Sequence, residues 1–201
     1  MKTVWDCIEF TRTVGWEDRD REDDELKGYD ALIDWAARRG LLAAADARRL
    51  RRRAAAHPRG AARVLRRAIE LRTLVYRILS AIGTGETPAS ADLKRLNELL
   101  PEAQRRLGIV RTTDGYAWDW VLDGELPLGC VLWPILRSAA DLLTSDELDR
   151  VKLCDADDCG WLFIDASRNR SRRWCDMSDC GNRAKVRRFR ERRRWEGQGR
   201  A

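Results

Sequence analysis

The chain has 201 residues and a formal net charge of +6, a size that suits one full domain and a small additional module. It contains no run of roughly 18 apolar residues, so we expect no membrane-spanning helix. Its first ten residues carry two acidic side chains and no apolar segment typical of a signal peptide. These features predict a cytoplasmic protein, and the six cysteines of a chain in that reducing compartment favour metal binding over disulfides.

The positive charge of the sequence is concentrated near its C-terminus. Residues 151–201 contain 14 Lys and Arg against 8 Asp and Glu, whereas the preceding residues contain 25 of each. Such asymmetry is typical of a C-terminal module that binds a polyanion.

Apolar residues at spacings of three and four predict a mainly helical fold for residues 1–148. Gly40 is a plausible stop for the first helix, and Pro134 either kinks the last one or marks its true start. The predicted helices cover residues 29–39, 42–56, 64–82, 90–107 and 126–143. A single β-hairpin, residues 109–112 and 116–121, is predicted around Asp114-Gly115.

One strand of this hairpin carries an alternating aromatic stripe, Tyr116, Trp118 and Trp120, whose side chains share one face. Such a stripe is more often a sheet packing on helices. The alternative is that the three residues line an effector pocket in the helical domain.

Four cysteines follow the spacing C-x4-C-x15-C-x4-C: Cys154, Cys159, Cys175 and Cys180. Two close pairs of thiolates are the ligands that a structural zinc ion requires, and four of them leave no open position for catalysis. We therefore predict one structural zinc in a treble-clef-like finger, arranged as knuckle, hairpin, knuckle and helix. Cys7 and Cys130 lie in apolar contexts and are expected to be core residues.

The segment Cys180-Gly181-Asn182-Arg183 resembles the signature of the CGNR zinc-finger family, and the run from 162 to 175 is similar to the same finger. Residues 29–42 and 137–143 resemble the helical domain that precedes this finger, a domain described as a stress-induced transcription regulator of bacteria. Where that family has an apolar strand followed by Phe-Asn-Thr, this chain has Ile8-Glu9-Phe10-Thr11-Arg12-Thr13. The resemblance implies a metal-binding, DNA-binding regulator.

A strongly basic helix is predicted after Cys180, and four of its arginines (183, 187, 190 and 194) share one face. From residue 167 to 195 there are 12 Lys and Arg against three acidic residues, the charge density of a phosphate-binding surface. The alternative is that these arginines pair with the acidic body, for example residues 17–25. Nine residues are candidates for nucleic-acid contact: Arg168, Arg170, Arg172, Arg173, Arg183, Lys185, Arg187, Arg190 and Arg194.

The sequence thus predicts a mainly α protein with one small β-hairpin: a helical regulatory domain (1–148), a zinc finger with a basic helix (149–195) and a flexible tail (196–201). We expect no enzyme, because no catalytic motif occurs. The favoured function is a zinc-binding, DNA-binding transcription regulator whose partner is double-stranded DNA. A homodimer and a small-molecule effector are compatible with it. The alternatives are a protein- or RNA-docking zinc module, and a small-molecule-binding helical domain without DNA binding.

Overall fold

The structure is a computed structural model that describes residues 5–15, 24–122 and 124–198. Within these ranges the fold is mainly helical, as predicted, and ends in a cysteine cluster. The helices are α1 (Asp6–Thr11), α2 (Tyr29–Arg38), α3 (Ala44–Ala56), α4 (Pro58–Gly83), α5 (Ser90–Gln104), α6 (Trp133–Leu143) and α7 (Cys180–Gln198). The strands are β1 (Leu107–Thr112), β2 (Gly115–Trp120), β3 (Val151–Leu153) and β4 (Leu162–Ile164), and two 3-10 helices cover Leu128–Leu132 and Leu148–Arg150. No helix in the described ranges is both long and apolar enough to cross a membrane.

Helix α4 is the centre of the helical body, because α1, α2, α3 and α5 all pack against it. Its apolar stripe, with Ala68, Val75 and Ile78 almost completely buried, follows the predicted spacing. Arg72 lies on the same helix and is 3% exposed. Its guanidinium donates to Thr13 Oγ1 at 2.9 Å and makes two hydrogen bonds to the Asp24 carboxylate, which satisfy most of its buried charge.

The helix boundaries follow local chemistry. At the end of α2, Gly40 has a φ of +74°, and the amides of Gly40 and Leu41 donate to the Ala37 and Ala36 carbonyls. This Schellman ending needs a left-handed residue, which glycine adopts without steric cost. Pro134 marks a true helix start, since it lies in the first turn of α6, where its missing N–H costs nothing.

Two parts of the predicted fold require correction. The described residues form two antiparallel hairpins, because β3, immediately before Cys154, pairs with β4. The finger hairpin therefore encloses the first knuckle and does not follow it. The N-terminal segment that the resemblance implies to be a strand is helix α1, in which Cys7 and Phe10 are buried.

The structure describes part of the predicted tail. Helix α7 continues to Gln198, so residues 196–198 are helical. Residues 199–201 lie outside the described part of the chain, as do residues 16–23 of the acidic segment.

Candidate metal centre and basic helix

The four cysteines predicted as zinc ligands converge at one point. The Sγ atoms of Cys154, Cys159, Cys175 and Cys180 all lie within 4.8 Å of one another. Two of the sulfur–sulfur distances are 3.5 Å, between Cys159 and Cys175, and 3.7 Å, between Cys175 and Cys180. Sulfurs about 2.3 Å from one zinc ion at tetrahedral corners are about 3.8 Å apart, whereas disulfide sulfurs are bonded at about 2.05 Å. The donor set and its spacing therefore fit one structural zinc ion.

The first knuckle is the connection between β3 and β4. The amide of Cys154 donates to the Trp161 carbonyl at 2.8 Å, and the amide of Cys159 donates to the Ala156 carbonyl at 3.2 Å. Gly160 has a φ of +62°, a left-handed conformation that turns the chain back into β4 at low cost only for glycine. The hairpin thereby fixes both sulfurs of the first pair.

The second knuckle is built by a local turn and by the start of α7. The Asp176 carboxylate accepts hydrogen bonds from the Ser178 amide at 2.7 Å and the Ser178 hydroxyl at 2.6 Å. The Gly181 amide donates to the Asp176 carbonyl at 2.9 Å. Cys180 is the first residue of α7, where free amides and the helix dipole favour a thiolate.

The thiols of the cluster oppose one another's ionisation. A hydrogen bond from the Cys175 thiol lowers the pKa of Cys159 well below its usual value. The same bond, with burial and the Cys159 charge, raises the pKa of Cys175. Burial raises the pKa of Cys180. A dication at the centre removes this mutual opposition, which is the chemistry that zinc supplies to four thiolates.

Asp165 joins the hairpin to the loop between the knuckles. Its side chain is completely buried and accepts hydrogen bonds from Lys152 Nζ at 2.7 Å, the Ser167 hydroxyl at 2.6 Å and the Arg172 amide at 2.9 Å. Burial alone would raise the pKa of Asp165, but these hydrogen bonds outweigh it and hold the pKa well below its ordinary range. The ionised carboxylate is therefore a structural part of the finger.

Comparison with known families agrees with this geometry. The family model described as "CGNR zinc finger" matches residues 150–193. The model named ABATE and described as "Putative stress-induced transcription regulator" matches residues 7–146, which is more than half of the chain. The chain belongs to the ABATE family. No curated protein matches it.

The signature residues Asn182 and Arg183 of this ABATE-family chain differ in their surroundings. The Arg183 guanidinium donates to Cys180 Sγ at 3.2 Å and pairs with Asp179 at 2.9 Å and with Asp158 at 3.4 Å. Arg183 thus supports the metal centre. The Asn182 side chain is exposed and makes no hydrogen bond within the described part of the chain.

Two of the four arginines on the predicted face of α7, Arg183 and Arg187, form ion pairs with carboxylates. Arg187 pairs with Asp157 and, at 4.0 Å, with Asp158. The alternative that these arginines are paired internally is thus partly correct. The acidic partners that the structure describes are Asp157 and Asp158 of the first knuckle and Asp179; residues 17–23 of the segment suggested from the sequence lie outside the described part of the chain.

The exposed residues of α7 form a stripe that differs from the predicted arginine face and shares only Arg190 with it. Asn182, Val186, Phe189 and Arg190 recur at spacings of four, three and one and are all exposed, Val186 at 41% and Phe189 at 53%. Lys185 is exposed beside this outward stripe. Arg194 belongs to α7, but its side chain lies outside the described part of the molecule.

The four candidate arginines between the knuckles divide into two groups. The Arg172 guanidinium stacks over Phe163 at 5.0 Å and donates to the Trp174 carbonyl at 2.8 Å, so it closes the second knuckle. The other three are exposed: Arg168, Arg170 and Arg173. Of these, Arg170 pairs with Asp149, and Arg173 pairs with Asp155.

The structure has a second basic surface, which the sequence analysis did not predict. Residues 46–67 contain nine arginines and one acidic residue, a cluster that the neutral sum over the body conceals. Two adjoining pockets at the junction of α3 and α4 share Arg53 and His57 in their lining. Five arginines surround them: Arg49, Arg52, Arg53, Arg59 and Arg63. A sliding charge window would have found this cluster.

The predicted effector-pocket residues are only partly brought together. Trp118 and Trp120 line a pocket at the base of the β1–β2 hairpin, whereas Tyr116 is 78% exposed and lies outside it. The Trp120 ring packs 5.5 Å from the Trp133 ring of α6. The base of the stripe thus packs on helices, as the favoured interpretation expected, and its outer end does not.

Proposed function

We propose that this protein is a zinc-dependent DNA-binding transcription regulator whose finger presents α7 to double-stranded DNA. The observation that carries the proposal is the outward stripe of α7, defined above by Asn182, Val186, Phe189 and Arg190, beside a metal centre that fixes the start of the helix. The helical body would then act as the sensing or oligomerisation domain.

The chemistry of the outward stripe suits a groove of B-DNA. An exposed helix fits the major groove, where an asparagine amide can make two hydrogen bonds to an adenine and apolar side chains can contact thymine methyl groups. Arg190 and Lys185 are exposed and can neutralise backbone phosphates. Asn182 is therefore the candidate for base recognition, and the two basic residues are the candidates for affinity.

A selection of duplexes from a random pool, followed by fluorescence anisotropy at several salt concentrations, tests this proposal. Asn182→Ala should reduce the preference for the selected sequence by about 1–3 kcal/mol and leave the salt dependence unchanged. Arg190→Gln should weaken binding to all duplexes and make the logarithmic salt slope shallower by about 0.9.

The matched control removes equal charge elsewhere. Arg105, Arg106 and Arg111 are exposed residues of the α5–β1 region, and their single Gln variants should bind DNA as the parent does. A parent protein that enriches no sequence and shows no salt-sensitive binding would overturn the proposal. If Arg52→Gln or Arg59→Gln abolishes binding and Arg190→Gln has no effect, the DNA contact lies on the second basic surface, at the junction of α3 and α4.

One observation favours the alternative of a protein-docking finger. Met177 is 49% exposed, and Val186 and Phe189 are also exposed, so apolar side chains lie on the finger surface. Val186→Ser and Phe189→Ser would abolish docking to a protein but would leave phosphate-dominated nucleic-acid binding nearly intact. RNA docking would appear in the same assay as preference for single-stranded RNA over the duplex.

A further inference from the structure

A pocket of about 350 Å³ lies between the base of the β1–β2 hairpin and helix α6. It is lined by three tryptophans and three aspartates: Trp5, Trp118, Trp120, Asp6, Asp119 and Asp141. Aromatic faces together with carboxylates are the groups that hold organic cations, because the π electrons and the negative charges act on a cation in the same direction.

The charges around the pocket do not cancel. Asp6 pairs with Arg39 at 2.8 Å, and Asp141 pairs with Arg137 at 3.1 Å. Asp119 accepts a hydrogen bond from the Trp120 amide and has no cationic partner among the described side chains. The Trp5 indole N–H donates a hydrogen bond to the Glu147 carboxylate at 2.6 Å. Asp119 and Glu147 thus form no ion pair among the described residues, although the Asp119 side chain points to the face of β2 opposite Trp118 and Trp120.

The structure already contains a cation in this pocket. The Arg137 guanidinium carbon lies 5.4 Å from the centroid of the Trp118 ring, within the range of a cation–π contact. Its ion pair with Asp141 lies on the surface, and such pairs contribute little stability. The position over Trp118 therefore has the chemistry to hold a cation, and its present occupant is held weakly.

We propose that this pocket binds a small organic cation, such as a quaternary ammonium group, which takes the position over Trp118 that Arg137 holds here. Asp141, which Arg137 then releases, balances the charge of the ligand. The inference gives a ligand class to the sensing role proposed for the helical body, but binding is measured on the protein without DNA. Failure of DNA binding and failure of this proposal are therefore separate results.

The test uses the full-length, zinc-loaded protein with choline and its neutral isostere, in which carbon replaces the quaternary nitrogen. Indole N–H resonances in isotope-labelled protein report binding, and Trp118→Leu identifies the signal of Trp118. Choline should shift that signal, and the isostere should bind at least about tenfold more weakly. Benzyltrimethylammonium extends the test to a larger cation.

Matched variants separate the pocket from the rest of the hairpin. Trp118→Leu should weaken choline binding, whereas Tyr116→Leu and Asp114→Asn, on the same hairpin but outside the pocket, should not. Arg137→Gln should strengthen it, because the internal competitor is removed. Equal binding of the isostere, weaker binding in Arg137→Gln, or no indole shift with either cation at millimolar concentration overturns the proposal.

Discussion

Leu162 and Phe163 are consecutive residues of β4, and their side chains are buried in two different apolar clusters. Leu162 belongs to the core of the helical body together with Val151 of β3, whereas Phe163 belongs to the cluster around the four cysteines. Successive strand residues point to opposite faces, so one short hairpin contributes to both units. The finger is therefore attached to the helical body through a shared strand.

Zinc removal should unfold the knuckles while the helical body remains folded. The cluster around the sulfurs contains few apolar residues, and a module of this size has too little core to fold without its metal. Val151 and Leu162 should stay attached to α4. Chelator titration followed by circular dichroism should show a partial loss of helix signal with the main thermal transition preserved. A single global collapse would show that the metal supports the whole core.

Substitution of the two neighbours in β4 should separate the two clusters. Leu162→Ala should lower the free energy of unfolding of the helical body by about 2–5 kcal/mol, because it opens a cavity in that core. Phe163→Ala should instead lower zinc affinity, measured by competition with a chromophoric chelator. Equal effects of the two substitutions on both measurements would contradict the division of β4 between two cores.

Zinc content should depend on the four clustered cysteines alone. Metal analysis of the purified protein should give about one zinc per chain, and Cys154→Ser or Cys175→Ser should abolish it. Cys130→Ala is the matched control, because Cys130 is buried in the helical core and burial raises its pKa to about 12. Full zinc occupancy in the double variant Cys175→Ser, Cys180→Ser would contradict the assignment.

Asp165→Asn should weaken the finger at neutral pH. The folded-state pKa of Asp165 is lowered, so its contribution to stability is complete above the ordinary carboxyl pKa near 3.9 and is lost as the pH falls through the lowered value. Loss of hydrogen bonds to the charged form should cost about 1.5–3 kcal/mol. Hydrogen exchange at the Arg172 amide measures this cost.

Asp149→Asn is the control for that measurement, because it removes the same charge from an exposed pair with Arg170. Such pairs contribute little, so exchange at the Arg172 amide should remain slow. Equal acceleration in the two variants would mean that Asp165 acts only through net charge.

The metal centre was predictable from the sequence because its ligands are close together along the chain. Each pair of cysteines lies within one short loop, and the start of α7 at Cys180 follows from the same segment. Hairpin β3–β4 was harder, since each strand has only three residues and its pairing is fixed by burial against α4.

The surface of α7 was not predictable for a different reason. Helical periodicity places Arg183 and Arg187 on one face, but it cannot show that Asp157 and Asp158 of the first knuckle lie against that face. The exposure of Val186 and Phe189 is likewise a consequence of where the knuckles sit. Tertiary contacts therefore decide which residues of this helix are available to a partner.

The same contacts lead to a prediction about the affinity of the finger for nucleic acid. The carboxylates of Asp157 and Asp158 neutralise Arg183 and Arg187 in this structure, and a phosphate must compete with them. The double variant Asp157→Asn, Asp158→Asn should bind the selected duplex more tightly. Each arginine released to a phosphate should steepen the logarithmic salt slope by about 0.9.

The control for this prediction is Asp114→Asn, Asp146→Asn, which removes two exposed carboxylates that lie outside the matched finger, residues 150–193. It changes the net charge equally, so any general electrostatic gain appears in both double variants. Addition of Arg187→Gln to the knuckle variant should return the slope toward that of the parent by about 0.9. Arg183 remains bonded to Cys180 Sγ, so Arg187 is the residue expected to gain most. Equal affinity and slope in the knuckle variant and its control would show that these ion pairs do not limit access to α7.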